Sequence, residues 1–123
     1  MTQVERIQPE RPVPPIALAA AYGDLLICTV VPEEPDGTIR PGSIEEQAER
    51  AFANLGELLR RLGSSLERVL HVTVYLADIE DRAGMTGVWE RVFGPDYPAR
   101  ATVQVGLAHP DMRIELTVMA ARG

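Results

Sequence analysis

The stretch SIEEQAERAFANLGELLRRLG, from Ser43 to Gly63, has one regular way to hide its apolar side chains. Ile44, Ala48, Ala51, Phe52, Leu55, Leu58, Leu59 and Leu62 recur every third or fourth residue, which is one stripe on an α-helix. Ser43 and Glu46 stand at the spacing of a capping box, in which each side chain satisfies a backbone amide at the helix start. Gly63 is the natural C-terminal stop, because glycine takes the left-handed conformation at no steric penalty. A single apolar stripe must be covered, so the rest of the chain has to supply a second layer.

Strand-type segments supply it. IALAAAY and LLICTVV flank Gly23-Asp24, a glycine-first connection that suits a type II′ hairpin turn. VLHVTVYL (69–76), ATVQVGL (101–107) and RIELTVMAA (113–121) are rich in β-branched residues and alternate in polarity. Asp78 to Phe93 reads as a second helix, weakened by Gly84 and Gly87, with Met85, Val88, Trp89, Val92 and Phe93 as its core face. Residues 1–15 form a proline-rich lead-in, expected to be extended and partly mobile, and residues 16–123 one domain. The order β-β-α-β-α-β-β predicts an α+β sandwich with two helices on one face of one sheet.

Alternation then sorts the strand residues into two sets. Leu70, Val72, Val74 and Leu76 oppose His71, Thr73 and Tyr75. Ala101, Val103, Val105 and Leu107 oppose Arg100, Thr102 and Gln104, while Ile114, Leu116 and Val118 oppose Arg113, Glu115 and Thr117. The aliphatic sets are expected to face the helices. The mixed sets are expected to form a second face, solvated or serving as a polar subunit interface.

Composition narrows the function. The net charge of −6, from 18 acidic and 12 basic residues, repels phosphate backbones and argues against a general nucleic-acid role. Cys28 is the single cysteine, so an intrachain disulfide is excluded, and it reads as a small buried apolar residue. His71 and His109 have no ligand spacing, so no metal is expected. No apolar run approaches the ~20 residues that span a bilayer, and the N-terminus lacks the apolar stretch of a signal peptide. A soluble cytoplasmic protein is expected.

Several stretches together resemble the Rid family, also called the YjgF family of reactive intermediate deaminases. They are Y-G-D-L-L-I near the start; Ala48, Asn54 and Leu55 in the first helix; G-S-S-L-E-R-V-L-H-V-T-V-Y-L; P-A-R-A-T-V; and the closing R-I-E-L-T-V-M-A-A-R. The resemblance covers about Tyr22 to Arg122. It implies a chorismate-mutase-like fold, a homotrimer with an inner β-barrel, and clefts between neighbouring subunits. It further implies hydrolysis of enamines and imines such as 2-aminoacrylate to a keto acid and ammonia, with no cofactor. Some relatives are described as endoribonucleases or translation inhibitors.

On this resemblance Arg100 matches the substrate-binding arginine, and its residue type fits: a planar guanidinium holds a carboxylate by two parallel bonds, which lysine cannot. Pro98 restricts the chain just ahead of it. Glu115 matches the family's acidic residue, suited to activate the attacking water as a general base. Thr102 stands where cysteine is common in the family. Gly106 and His109 bound a loop whose main chain is assigned to seat the leaving ammonia. Ile16 replaces a tyrosine, and Cys28-Thr29-Val30-Val31 replaces S-G-Q, so the charge anchor is kept while the pocket wall is altered. Without the resemblance, Arg100 also reads as a surface or interface ion-pair residue, Glu115 as a solvated residue or the partner of Arg113, and the two as partners of each other. A non-catalytic binding protein for keto acids or amino acids fits the same cleft.

Overall fold

A computed structural model describes residues 3–10 and 14–123. The strands are β1 (Val4–Ile7), β2 (Ala19–Tyr22), β3 (Leu25–Val30), β4 (Val69–Leu76), β5 (Ala99–Gln104) and β6 (Ile114–Ala121). They form one mixed sheet in the order β1-β2-β3-β6-β4-β5, in which β4 and β5 are parallel and every other pair antiparallel. Helices α1 (Ile44–Arg61) and α2 (Arg82–Phe93) both cover one face.

The helix α1 forms as its sequence dictates. Ser43 Oγ accepts from the Glu46 amide, and Glu46 Oε1 accepts from the Ser43 amide, both at 3.1 Å. At the other end Gly63 has φ 75°, Ser64 N donates to Leu59 O, and Gly63 N donates to Arg60 O. That pairing is a Schellman motif, and it satisfies two otherwise orphaned carbonyls. The Gly23-Asp24 turn also forms: Tyr22 pairs with Leu25, and only Gly23 of the two has positive φ, as type II′ requires.

The core lies between the helices and the inner face of the sheet. Phe52 of α1 meets Trp89 and Phe93 of α2 edge-on, with ring centroids 6.1 and 5.6 Å apart, an arrangement aromatic quadrupoles favour. Leu26, Val72, Val74, Leu76, Ile114, Leu116 and Val118 are fully buried beneath them. Each such side chain contributes on the order of 1.5–3 kcal/mol by leaving water. Gly84 has a packing reason: a Cβ there would lie 2.7 Å from Ile44 Cγ2, so only glycine lets α2 approach α1 so closely.

Gln47 is the one buried polar side chain among the described residues, and it is fully used. Its Nε2 donates to Arg40 O and Asp111 O, and its Oε1 accepts from the Arg113 amide, tying two loops to α1. Asn54 Nδ2 likewise donates to Val31 O and Glu33 O.

Within the lead-in, Val4–Ile7 is an extended strand that pairs with β2, and Arg122 Nη1 donates to Glu5 at 2.8 Å. Residues 1, 2 and 11–13 of that lead-in lie outside the described residues. Three expectations need correcting. The hairpin's first strand begins at Ala19 rather than residue 16. Leu70 is half exposed instead of buried, because a bulge between Val69 and His71 turns it out of the alternation.

The largest correction concerns β5, whose facing is reversed. Arg100, Thr102 and Gln104 stand opposite Val72, Val74 and Leu76, on the helix side. Ala101 and Val103 stand opposite Thr73 and Tyr75, on the open side. The open face is accordingly less polar than expected, exposing Leu25, Ile27, Val103 and Met119.

Candidate active site

The register across the sheet decides where Arg100 goes. Residues directly opposite on neighbouring strands share a face, so Cys28, Val118, Val72 and Arg100 form one row on the helix side. The first three are buried aliphatic or thiol groups, and the row ends in a guanidinium at the sheet edge. There α2 covers β5 only in part, so Arg100 is half-buried. Its guanidinium carbon stands 4.9 Å from the Trp89 ring centroid. Nη2 donates to Thr86 Oγ1 at 3.1 Å, and Nη1 reaches Met85 Sδ at 3.8 Å. The stack on Trp89 is a cation–π contact, and together with Thr86 it fixes the fork's plane. Burial, and to a lesser degree the Arg82 charge, lower the Arg100 pKa from its usual value, although a guanidinium stays charged in proteins.

Beside this fork lies an open depression of about 320 Å³, lined by Thr86, Trp89, Glu90, Tyr97, Pro98 and Arg100. A larger depression, about 420 Å³, lies between the 32–42 loop and α1. None of the sequence-predicted site residues lines it. Its Arg50 is already engaged, 3.8 Å from Glu34 and bonded to Asn54, and its Arg40 shares the lining with the carboxylates of Glu34, Glu46 and Glu49, which make that depression net acidic. The smaller one holds the charge anchor with donors to spare, and the chemistry favours it.

Thr102 is half-buried two residues along β5 on the same face as Arg100. Glu115 is elsewhere. It stands on β6 opposite Tyr75, whose other neighbour is Val103, so it belongs to the open face. Arg100 and Glu115 of one protomer therefore lie on opposite sides of the sheet, two strands apart, which excludes the alternative of an ion pair between them within one chain. Nor is Arg113 the partner of Glu115: its guanidinium donates to Gly42 O at 2.7 Å and to Asp81 at 3.2 Å. Glu115 is half-buried opposite Tyr75, and burial raises its carboxyl pKa above the usual value.

Gly106 and His109 are exposed in the loop after β5. His109 holds its own turn: Nδ1 accepts from the Asp111 amide at 3.0 Å, and its carbonyl accepts from Met112 N at 3.1 Å. Cys28 is buried, and burial pushes its thiol up to about 12, which leaves it without nucleophilic character. Among the described residues, no group of three His, Cys, Asp or Glu could hold a metal ion, and no helix is long and apolar enough to cross a membrane.

Sequence reasoning did not single out Thr86, Glu90 or Tyr97, and it read Trp89 as core alone. The signal was the helical spacing of Thr86, Trp89 and Glu90, which puts the three on one flank of α2.

The family model described as endoribonuclease L-PSP matches residues 17–122. The chain belongs to this family, the Rid or YjgF family. Among Rid relatives, a mitochondrial mmf2 protein of Schizosaccharomyces pombe is 37% identical over 110 residues, covering 87% of each chain. A protein of Capra hircus named 2-iminobutanoate/2-iminopropanoate deaminase is 36% identical over 87 residues, covering 71% of this chain and 64% of its own length. The crystal structure of a YjgF-family protein from Neisseria meningitidis superposes with a TM-score of 0.85 at 28% identity, covering 98% of this chain and 96% of that one. At the level of the family, Rid membership carries imine-deaminase-type chemistry on reactive intermediates.

Proposed function

We propose that the protein hydrolyses enamine or imine metabolites bearing a carboxylate, of the 2-aminoacrylate type, to a keto acid and ammonia. The observation that carries this reading is the Arg100 fork, held by Trp89 and Thr86 beside an open depression sized for a small molecule. Of its five N–H donors two are engaged, which leaves enough for a carboxylate. An iminium carbon is already electrophilic, so the reaction asks only for a positioned substrate and an activated water.

Water attacks the iminium carbon while Glu115 accepts a proton from it. The resulting carbinolamine collapses when that proton passes to nitrogen and the freed Glu115 carboxylate takes the carbinol hydroxyl proton. The C–N bond breaks as the C=O bond forms, and the departing ammonia carries the proton away as ammonium, leaving a ketone. The raised Glu115 pKa suits this role, since a base nearer neutrality also returns its proton readily.

Because one protomer holds Arg100 and Glu115 on opposite faces, the reading draws them from neighbouring protomers of a homotrimer. The exposed Leu25, Ile27, Val103 and Met119 on the open face favour such self-association. Thr102 would line the same cleft beside Arg100, and the main chain from Gly106 to His109 would meet the leaving ammonia.

A second reading, binding of keto acids or amino acids without turnover, is favoured by one feature: the Arg100 depression of a single protomer lacks Glu115. Ribonuclease activity is disfavoured by the net charge of −6.

The test is ammonia release from enzymatically generated 2-iminopropionate. Arg100→Ala is expected to lower kcat/KM about a hundredfold or more, the loss of a charge-assisted bidentate contact, with oligomer mass unchanged. Full retained activity would remove Arg100 from the mechanism.

A further inference from the structure

Glu90 lies on the same depression as Arg100 and carries the opposite charge. It is exposed, and among the described residues its carboxylate has no ion-pair partner within 4.0 Å. The neighbouring Arg91 does not neutralise it, being 2.9 Å from Glu49 and donating to Gly87 O. Thr86 and Glu90 are one helical turn apart on α2 with Trp89 between them, so the hydroxyl that holds Arg100 and the free carboxylate share one flank. The residue with the fixed cation and the residue with the unpaired anion thus line one small cavity. Tyr97 and Pro98 complete its wall.

We propose that this depression selects a dipolar ligand, an α-amino or α-iminium carboxylate, with Arg100 taking the carboxylate and Glu90 the cationic nitrogen. The proposal rests on the reading of Arg100 as a carboxylate anchor and adds the residue that reads the nitrogen. Both ligands place their carboxylate on Arg100, but only the dipolar one brings a cation for Glu90 to attract; a keto acid leaves Glu90 unpaired beside an anionic ligand. The site therefore holds an iminium substrate better than its keto acid product. Glu90 is a specificity-determining residue that helps product leave. Its exposure makes the effect modest and sensitive to salt.

Calorimetric titration of the full chain with alanine and with pyruvate, at low salt, tests this without requiring turnover. The wild type is expected to bind alanine about fivefold more tightly than pyruvate, near the upper end for one exposed ion pair. Glu90→Gln is expected to erase that preference by weakening alanine and strengthening pyruvate, with the melting temperature unchanged. Arg100→Ala is expected to weaken both ligands. High salt should shrink the wild-type preference. If Glu90→Gln keeps the wild-type preference while Arg100→Ala weakens both ligands, the role of Glu90 is wrong and the anchor stands. If Arg100→Ala leaves both affinities unchanged, or neither ligand binds the wild type, the anchor and the proposal fail together.

Discussion

The centre of the sheet and its β5 edge are strands of the same sheet under different constraints. β6 lies between β3 and β4, and its Ile114, Leu116, Val118 and Ala120 are fully removed from water. β5 has one neighbour, and none of its residues is fully buried. Where both flanks and one face are covered, a charge would be prohibitively costly to desolvate. At the edge a guanidinium can be half-desolvated, stacked and aimed while keeping free donors. Stability is concentrated at the centre, and the chemistry can sit only where burial is incomplete.

The sharpest way to break this contrast is truncation on each strand. Leu116→Ala, at the centre, is expected to destabilise the protein by about 2–5 kcal/mol in urea unfolding of the isolated protomer. Val103→Ala, on the open side of β5, should stay within about 0.5 kcal/mol. Equal losses would mean that the edge is as much a part of the core as the centre.

A similar contrast runs along α2. Gly84→Ala places a methyl 2.7 Å from Ile44 Cγ2 and is expected to cost about 1–3 kcal/mol, despite alanine's better helix propensity. At Gly87 a Cβ meets nothing within 4 Å, so Gly87→Ala should stabilise the protein by up to about 1 kcal/mol. Thermal melts of the two variants should move in opposite directions.

The smallest effect belongs to Glu115. Its folded pKa is raised by burial, so the folded state binds the proton more tightly than the unfolded one. The contribution favours folding below the ordinary carboxylate pKa and is lost as pH rises through the raised folded value. Glu115→Gln should therefore be slightly more stable than the wild type at neutral pH, with the gap closing as pH falls through the carboxylate range. A gap that widened on acidification would contradict burial as the cause.

Local features were legible in the sequence. The α1 helix was readable throughout, because its stripe, its Ser43–Glu46 box and Gly63 all act within one or two turns. The hairpin at Gly23-Asp24 was readable for the same reason. What the sequence withheld depends on partners distant in the chain. Alternation in β5 separates Arg100, Thr102 and Gln104 from Ala101 and Val103, but only the register against β4 decides which set faces the helices. Leu70 escaped because a bulge is defined by the opposing strand, and β1 because prolines and charges surround a short segment. Arg100 was singled out as a candidate only through the resemblance carried by P-A-R before a strand. Its partners Thr86 and Trp89 were not, since a tryptophan on an apolar stripe gives no sign that one face of its ring will carry a cation.

The central claim is that the reaction takes Arg100 from one protomer and Glu115 from another. Mixing inactive Arg100→Ala and Glu115→Gln chains by co-refolding, then measuring ammonia release from 2-iminopropionate, tests it directly. Random trimers should regain activity at about a quarter of their sites, since some clefts then pair an intact Arg100 with an intact Glu115. No recovery from the mixture, with trimers formed and wild-type chains active after the same treatment, would contradict a site shared in this way.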